Sequence, residues 1–135
     1  MKSFAKDFSI QVSDDTTMFE HFANYCSICR HCSDAYQEDP TFYEDVHTGA
    51  GGDYGVDGVL FLINDQPVTS IEQLEEIKSK KWSVKLLFIQ AKTSDQFDSG
   101  DMLKTGNGVV QVLKFDKSRA NDHMANQIKI LEAIY

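Results

Sequence analysis

The sequence lacks a long hydrophobic run. No apolar stretch in its 135 residues approaches the roughly 20 that a membrane-spanning helix needs. Residues 1–7 also lack the apolar segment of a secretory signal peptide. We therefore expect a cytoplasmic protein with no membrane partner. The length indicates a single domain that is large enough to bury one core.

Negatively charged residues outnumber positively charged ones. The chain has 13 Lys and Arg against 21 Asp and Glu, a formal net charge of −8. Non-specific affinity for nucleic acid comes mainly from Lys and Arg on phosphates, so a broad electrostatic binder is disfavoured. A nuclease site is still compatible with this balance, because carboxylates that hold a metal ion add to the negative count.

Cysteine is also sparse, with three residues that all fall within positions 26–32. Three thiols cannot all pair with one another, and without a secretion signal we expect them to be reduced. Cys26, Cys29 and Cys32 have a spacing that suggests zinc or iron–sulfur ligation. On a continuous helix, however, they spread over about 600° of turn, which favours simple packing. A cysteine-ligated metal or redox module stays open as a third class of function.

Local patterns predict alternating helices and strands. Polar capping residues at 14–17 precede helical spacing that runs to about Tyr36, and Asp39-Pro40 ends it. Strands are predicted at 42–47, 56–63 and 83–91, the last one central in the sheet because 86–89 is continuously apolar. Helices are predicted at 70–78 and 119–135, whereas 101–115 is ambiguous because Gly106 and Gly108 interrupt its helical pattern. Turns or loops are predicted at 49–55, 64–67 and 93–99.

The chemistry concentrates at two strand ends, residues 55–58 (GVDG) and 88–92 (FIQAK). Asp57 enters one strand, while Gln90 and Lys92 end another and share a face because side chains alternate. The Asp57 carboxylate, the Gln90 side-chain oxygen and the Ala91 carbonyl are the hard oxygen ligands that Mg²⁺ prefers. Lys92 is suited to hold an attacking water or to stabilise charge on a phosphate. The pattern indicates a metal-dependent phosphodiesterase site, although such residues also occur at strand ends by chance.

Other polar residues near this pattern have two interpretations each. Asp53 in the glycine cluster is read as a turn former in preference to a metal ligand. His47 lies close by in sequence without an identified partner, and Gln111 would approach the site only if a helix carried it there. The lysines that precede Trp82 are read as a solvated helix end, with phosphate contact as the alternative: Lys78, Lys80 and Lys81.

A family resemblance joins these residues. The order of Glu20 in a first helix, then GVDG, then FIQAKT resembles the PD-(D/E)XK nuclease superfamily in its Mrr-like variant with Gln-x-Lys. Residues 88–98 (FIQAKTSDQFD) more closely resemble the N-terminal nuclease-like region of AIPR-type abortive-infection phage-resistance proteins. The resemblance covers roughly residues 19–135.

The resemblance implies an α/β fold with a restriction-endonuclease-like core, a mixed central sheet flanked by helices. It implies that residues 1–135 are one nuclease-like domain, and we expect an N-terminal fragment of a longer protein. By the family pattern Asp57 is the metal-binding acid, Gln90 stands for the second acid, Lys92 is the catalytic lysine and Glu20 joins the metal site. With Asp57, Gln90 and Glu20, the Ala91 carbonyl completes the expected metal ligands.

The implied function is cleavage of nucleic-acid phosphodiester bonds with Mg²⁺ or Mn²⁺, in abortive infection or restriction of phage. DNA is favoured over RNA as the partner, and a homodimer and the remaining domains of a longer chain are the other expected partners. Two departures matter: Val56 replaces the motif's proline, and the neutral Gln90 removes one negative charge from the metal site. The alternative function is therefore a catalytically inactive nuclease-like domain used for nucleic-acid binding or assembly.

Overall fold

Ten elements follow one another in the computed structural model, which describes residues 1–12, 14–96 and 98–135. The described helices are α1 (Lys2–Asp7), α2 (Asp15–Ile28), α3 (Ala35–Glu38), α4 (Phe42–Val46), α5 (Ile71–Glu75), α6 (Ser99–Leu113) and α7 (Asp122–Ile134). The described strands are β1 (Gly58–Ile63), β2 (Gln66–Val68) and β3 (Val84–Ile89). The predicted polar loop at 93–99 includes Phe97, which lies outside the described residues.

The three strands form an antiparallel sheet in the order β2-β1-β3. β1 turns into β2 through Asn64 and Asp65, which both have positive φ, +52° and +65°. Positive φ at both positions gives the turn a twist that suits a two-residue hairpin. β3 pairs along the whole of β1, from Gly58 opposite Ile89 to Ile63 opposite Val84. The start of β1 and the end of β3 therefore lie side by side.

Helices cover both faces of β1, which is buried at every position. Alternation sends Val59, Phe61 and Ile63 to one face, where they pack with residues of α5, α6 and α7. Leu60 and Leu62 point to the other face and pack with residues of α2, α3 and α4. Each buried apolar side chain of this size contributes about 1.5–3 kcal/mol, so β1 is the main source of stability in the sheet.

The α/β class is confirmed, but the sheet is antiparallel where a mixed one was expected. A parallel pair needs a crossover into a further strand, and no strand follows β3 among the described residues. The prediction that 83–91 is central is also wrong. β1 is equally apolar and holds the centre because it pairs on both sides, which leaves β3 at an edge with partly buried side chains.

The predicted strand at 42–47 is a helix, α4, followed by a single bridge between His47 and Gly58. Phe42 and Val46 are four residues apart and both are buried, which is a helical spacing that the strand interpretation overlooked. The glycine cluster therefore connects a helix to a strand. The first long helix also ends early, at Ile28, and the separate helix α3 begins only at Ala35.

The other helices agree better with the sequence. Ser70 caps α5 by accepting from the Gln73 N–H, as its capping pattern predicts. Most of the ambiguous segment 101–115 belongs to one continuous helix, α6, despite the glycines at 106 and 108. Asn121 caps α7. Among the helices that the structure describes, none has both the length and the apolar character required to cross a membrane.

Candidate active site

Two hydrogen bonds join Asp57 to the end of β3. The Asp57 N–H donates to the Ile89 carbonyl at 2.8 Å, and the Ala91 N–H donates to Asp57 Oδ2 at the same distance. The candidate acid is thus fixed to the backbone of the Gln-x-Lys segment. Gln90 and Lys92 lie beyond the last residue of β3, so strand alternation no longer determines the directions of their side chains.

Glu20 reaches this edge from α2 and is held by a histidine. Glu20 Oε2 lies 2.6 Å from His47 Nε2, and the two side chains are only 17% and 13% exposed. Gly49 makes this contact possible, because a Cβ at that position would lie 2.5 Å from Glu20 Oε2. The first glycine of the cluster therefore serves the Glu20–His47 pair, and His47 acquires the partner that the sequence did not identify.

Two hydrogen bonds hold the backbone carbonyl of Asp57 in place. The buried Asn24 on α2 donates from Nδ2 to the Asp57 carbonyl at 3.1 Å, and the Thr48 N–H donates to the same carbonyl at 3.2 Å. The following residue is a glycine for a steric reason, since a Cβ on Gly58 would collide with the Asn24 amide. Asn24 is a supporting residue that sequence analysis missed, although its i, i+4 relation to Glu20 would have placed it on the same helix face.

The electrostatics of the edge favour a cation. Burial raises the pKa of the Asp57 carboxyl above its ordinary value, and the negative charges of Glu20 and Asp53 raise it further. The Ala91 N–H and His47 act in the opposite direction. Negative charges that lie near one another repel, and a positive ion between them relieves that repulsion.

Asp53 also performs the turn-forming role predicted for it. Its Oδ1 accepts from the Gly55 N–H at 2.8 Å, which closes a turn in the glycine cluster. Its charge nevertheless acts on Asp57. The preferred interpretation of Asp53 as a turn former is therefore confirmed.

Lys92 forms an ion pair with Asp101 in the first turn of α6. The two side chains are 24% and 33% exposed, so water still reaches the pair. Asp101 was not among the predicted site residues, because the glycines of its segment left the helix in doubt. The ion pair therefore links the candidate catalytic lysine to α6, which packs in the same core cluster as Val59 and Phe61.

Gln90 lies apart from the other candidates. It lines an open groove of about 410 Å³ that follows the outer edge of β3, together with Ser27 and His31. The structure thus brings Asp57, Glu20 and the Ala91 backbone together and places Lys92 and Gln90 at their margin.

The donors at this edge are suited to a hard cation such as Mg²⁺ or Mn²⁺. They are the carboxylates of Asp57 and Glu20 and the Ala91 carbonyl, all of them oxygen atoms, with the Gln90 amide oxygen at the margin. Within the described ranges, no group of three or more His, Cys, Asp or Glu side chains is arranged to hold a metal. A cation here would therefore depend on two carboxylates supplemented by neutral oxygens.

Two of the three cysteines pack as small apolar residues. Cys29 and Cys32 lie against the core cluster on the α2 side of the sheet, whereas Cys26 is exposed, and all three are free thiols. Burial raises the pKa of the Cys29 thiol, which disfavours the thiolate that metal ligation requires. The packing interpretation is therefore confirmed for Cys29 and Cys32.

Comparisons of the chain with family profiles, with curated proteins and with solved structures each returned no match.

Proposed function

We propose that this chain is a Mg²⁺- or Mn²⁺-dependent nuclease with a restriction-endonuclease-like core. It would cut nucleic-acid phosphodiester bonds in the cytoplasm, in defence against phage. The observation that carries the proposal is the hydrogen bond from the Ala91 N–H to Asp57 Oδ2, which unites the acid of one motif with the Gln-x-Lys of the other. The resemblance to AIPR-type proteins supplies the biological setting.

Each residue has a distinct role in this proposal. Asp57, Glu20, Gln90 and the Ala91 carbonyl hold the cation, which when bound supplies a Lewis acid and an acidified water. His47 keeps the Glu20 carboxylate at the edge of the sheet. Lys92 orients the attacking water or stabilises charge on the phosphate, and it must leave Asp101 at least in part to do so.

The proposed partners follow from the same reasoning. DNA is favoured over RNA as the substrate. The edge of β3, whose described neighbour lies only on the β1 side, offers a surface for a second copy of the chain or for further domains of a longer protein.

A second candidate is a nuclease-like domain without catalysis, used for binding or assembly. The observation that favours it is that two of the candidate side chains are already engaged: Lys92 is ion-paired with Asp101, and Glu20 is hydrogen-bonded to His47. Paired charges and a neutral Gln90 leave less charge available for a metal and for a phosphate.

Cleavage assays separate the two candidates. Plasmid DNA and single-stranded RNA are incubated with Mg²⁺ or Mn²⁺ and wild type, Asp57→Asn or Lys92→Met, with Asp53→Asn as the matched control. We expect Asp57→Asn and Lys92→Met each to lower the cleavage rate by roughly 100-fold or more, as removal of a transition-state interaction does. Asp53→Asn should retain most of the activity.

The Asp57→Asn variant is an informative test because it should fold. Asparagine keeps an acceptor for the Ala91 N–H, and at pH 7 it removes an ionised carboxylate that burial penalises. Its thermal midpoint should equal or exceed that of wild type. A folded wild type that cuts nothing at saturating cation supports the inactive domain, and cutting that survives Asp57→Asn places the active site elsewhere.

A further inference from the structure

An apolar stripe lies on the outer side of α6. Its large side chains are Met102, Leu103, Val110 and Leu113, which are 61%, 65%, 43% and 46% exposed. They make up half of the large hydrophobic residues that are exposed in the described part of the chain. Gly106 lies among them and also faces open space. These five residues form the α6 stripe.

The stripe points away from the rest of the molecule because of the helix period. At about 100° per residue, its five positions fall within an arc of about 100°. The buried residues of α6, Gly108 and Val112, lie on the opposite side. Thr105 also points inward, and its hydroxyl donates to the Gly55 carbonyl at 3.0 Å. One face thus holds the helix on the molecule, and an apolar face of the same helix is left in water.

The stripe is large for a surface that stays in water. The exposed fractions correspond to roughly 400 Å², within the ~300–600 Å² of the largest apolar patches on monomeric proteins, which are often functional. Two such stripes in contact would bury roughly 800 Å², and flanking polar residues would bring the total close to ~1,000 Å². This is the size of a weak, reversible protein–protein interface.

The spacing of the stripe is symmetric. Leu103, Gly106, Val110 and Leu113 are three, four and three residues apart, which is the spacing of a seam between two packed helices. This order is unchanged when the chain direction is reversed. A second α6 running antiparallel therefore places Leu113 opposite Leu103 and Val110 opposite Gly106. Each copy gives and receives the same contacts, as a two-fold interface requires.

Gly106 distinguishes the two possible directions. In an antiparallel pair, Val110 of one copy occupies the open space beside Gly106 of the other, so a large residue meets a small one at both levels. In a parallel pair Gly106 would face Gly106 and leave a gap, while Val110 would face Val110. Close packing without voids therefore favours the antiparallel pair.

The charges at the ends of α6 favour the same direction. Asp98 caps the first turn and forms no salt bridge with a described residue, whereas Asp101 is paired with Lys92. At the other end, Lys114 is exposed and is likewise in no salt bridge among the described residues. An antiparallel pair brings the Asp98 end of one helix to within about a Debye length, ~8–10 Å, of the Lys114 end of the other. A parallel pair would bring like charges together.

The other charges near these ends do not reverse this pattern. Beyond the end of α6, Lys117 is paired with Glu132, and Asp116 lies in the field of Arg119. Asp95, in the loop before α6, adds to the negative charge at the other end. The two ends therefore keep opposite signs. The net charge of −8 on each copy opposes association as a whole, so the complex should be weak.

We propose that the α6 stripe is the interface of a weak homodimer, in which α6 of one copy packs antiparallel on α6 of the other. A small interface between chains of like net charge corresponds to a dissociation constant between about 10 and 100 µM. The inference does not depend on the nuclease function. It also assigns the second copy to a surface other than the edge of β3.

The oligomeric state of the 135-residue chain is measured by sedimentation velocity under reducing conditions. Protein concentration runs from ~2 µM to ~1 mM in ~0.15 M salt, which brackets the expected dissociation constant. The variants are Leu103→Gln and Val110→Gln. Ile71→Gln is the matched control, because Ile71 is an apolar residue outside the stripe that is 37% exposed. All three positions are exposed, so the variants should fold, and thermal unfolding at the lowest concentration verifies this.

We expect wild type to pass from monomer to dimer over this range. Leu103→Gln and Val110→Gln should each raise the dissociation constant about tenfold or more, and Ile71→Gln should change it by less than about twofold.

A pair of charge reversals tests the complementary ends. Lys114→Glu places a negative charge near the Asp98 end of the second copy and should weaken the dimer about threefold more than Lys104→Glu does. Lys104→Glu is the matched control for net charge, because the Lys104 side chain lies over Gly55 on another side of the helix. Equal effects of the two reversals would contradict the antiparallel arrangement.

Cross-linking tests the direction of the pair. In a Cys26→Ser background, which removes the exposed thiol, Leu103→Cys and Leu113→Cys are oxidised separately and as a mixture. The antiparallel pair places position 103 opposite position 113, whereas the two copies of position 103 lie about 15 Å apart, beyond the reach of a disulfide. A covalent dimer should therefore form in the mixture and with neither variant alone.

A wild type that stays monomeric at ~1 mM would overturn the proposal and leave the stripe to a different protein segment. A dimer that Leu103→Gln and Val110→Gln leave intact would also overturn it, and would place the contact elsewhere, such as the edge of β3. Covalent dimers of either cysteine variant alone would exclude the antiparallel arrangement. None of these measurements involves cleavage, so the dimer and the nuclease function can fail separately.

Discussion

β1 and β3 are neighbouring strands of six residues with similar apolar sequences, yet they lie in different surroundings. β1 is buried at all six positions and is hydrogen-bonded on both sides, whereas β3 is paired on one side and partly exposed. The candidate acid enters the enclosed strand and the candidate lysine leaves the open one. Asp57 is therefore fixed by its surroundings, whereas the Lys92 side chain is still partly exposed to water.

The same contrast recurs elsewhere in the molecule. Along α6, Gly108 is buried against the loop and Gly106 faces open space. Among the histidines, His21 is buried beside His47 while His123 is exposed. Each pair allows the enclosed and the open environment to be compared with the same chemical change.

The largest effect is expected from truncating one phenylalanine on each strand. Phe61 on β1 is fully buried, and Phe61→Ala should lower the free energy of unfolding by about 3–5 kcal/mol through loss of burial and a cavity. Phe88 on β3 is partly buried, so Phe88→Ala should lower it by only about 1–2 kcal/mol. Urea unfolding followed by circular dichroism measures both. Equal losses would mean that β3 is as enclosed as β1 in solution.

A second pair compares two glycines of α6. Gly108→Ala forces a methyl group against the Tyr54 backbone and should lower stability by about 2–3 kcal/mol, because backbone cannot move aside cheaply. Gly106→Ala meets nothing within 4 Å and should raise stability by about 0.5–1 kcal/mol, as alanine favours a helix. Thermal unfolding of both variants measures these two changes in stability. Two stabilised variants would show that the loop does not touch the helix at Gly108.

The smallest effect is a pH dependence that comes from His21. Burial, with the adjacent His47, lowers the pKa of His21 from 6.5 to about 4. A depressed folded pKa gives stability that is complete above the unfolded value and is lost as pH falls towards the folded one. Wild type should therefore lose about 2 kcal/mol between pH 7 and pH 5 from this group.

Replacing the buried ring isolates that contribution. In His21→Phe, whose ring can keep the edge contact with Tyr43, the loss between pH 7 and pH 5 should shrink by the same amount. His123→Phe on the exposed face of α7 serves as the control and should leave the pH profile nearly unchanged. Parallel profiles for wild type and His21→Phe would show that His21 is already solvated in the folded state.

The sequence predicts the capped helices and the presence of strands near 58–63 and 84–89, because capping residues and branched apolar runs act locally. It does not predict which strand is central, since a continuous apolar run fits any enclosed position and pairing partners are non-local. The strand predicted at 42–47 failed for a related reason, because six residues contain too few periods to separate a strand reliably from a short helix.

For the candidate site, the sequence identifies Asp57, Ala91 and Glu20, which the fold brings to one edge. The sequence does not identify the two residues that contact Lys92 and Glu20. Asp101 and His47 act across 9 and 27 residues of chain, respectively, through contacts with Lys92 and Glu20. Asp101 and His47 reach these partners only because α6 and α4 pack against the sheet. Local sequence patterns do not predict such long-range packing.

The glycine cluster has a consequence for the amino acids that its positions can accept. Gly51 and Gly52 both have left-handed backbones, with φ of +80° and +65°, so both positions disfavour β-branched side chains. They differ in the space beyond the Cα. Gly51 faces nothing within 4 Å and leaves room for asparagine or aspartate, whereas a Cβ on Gly52 would press on the Asn121 backbone. In a library of variants, position 51 should tolerate a few small polar residues, and position 52 should return glycine.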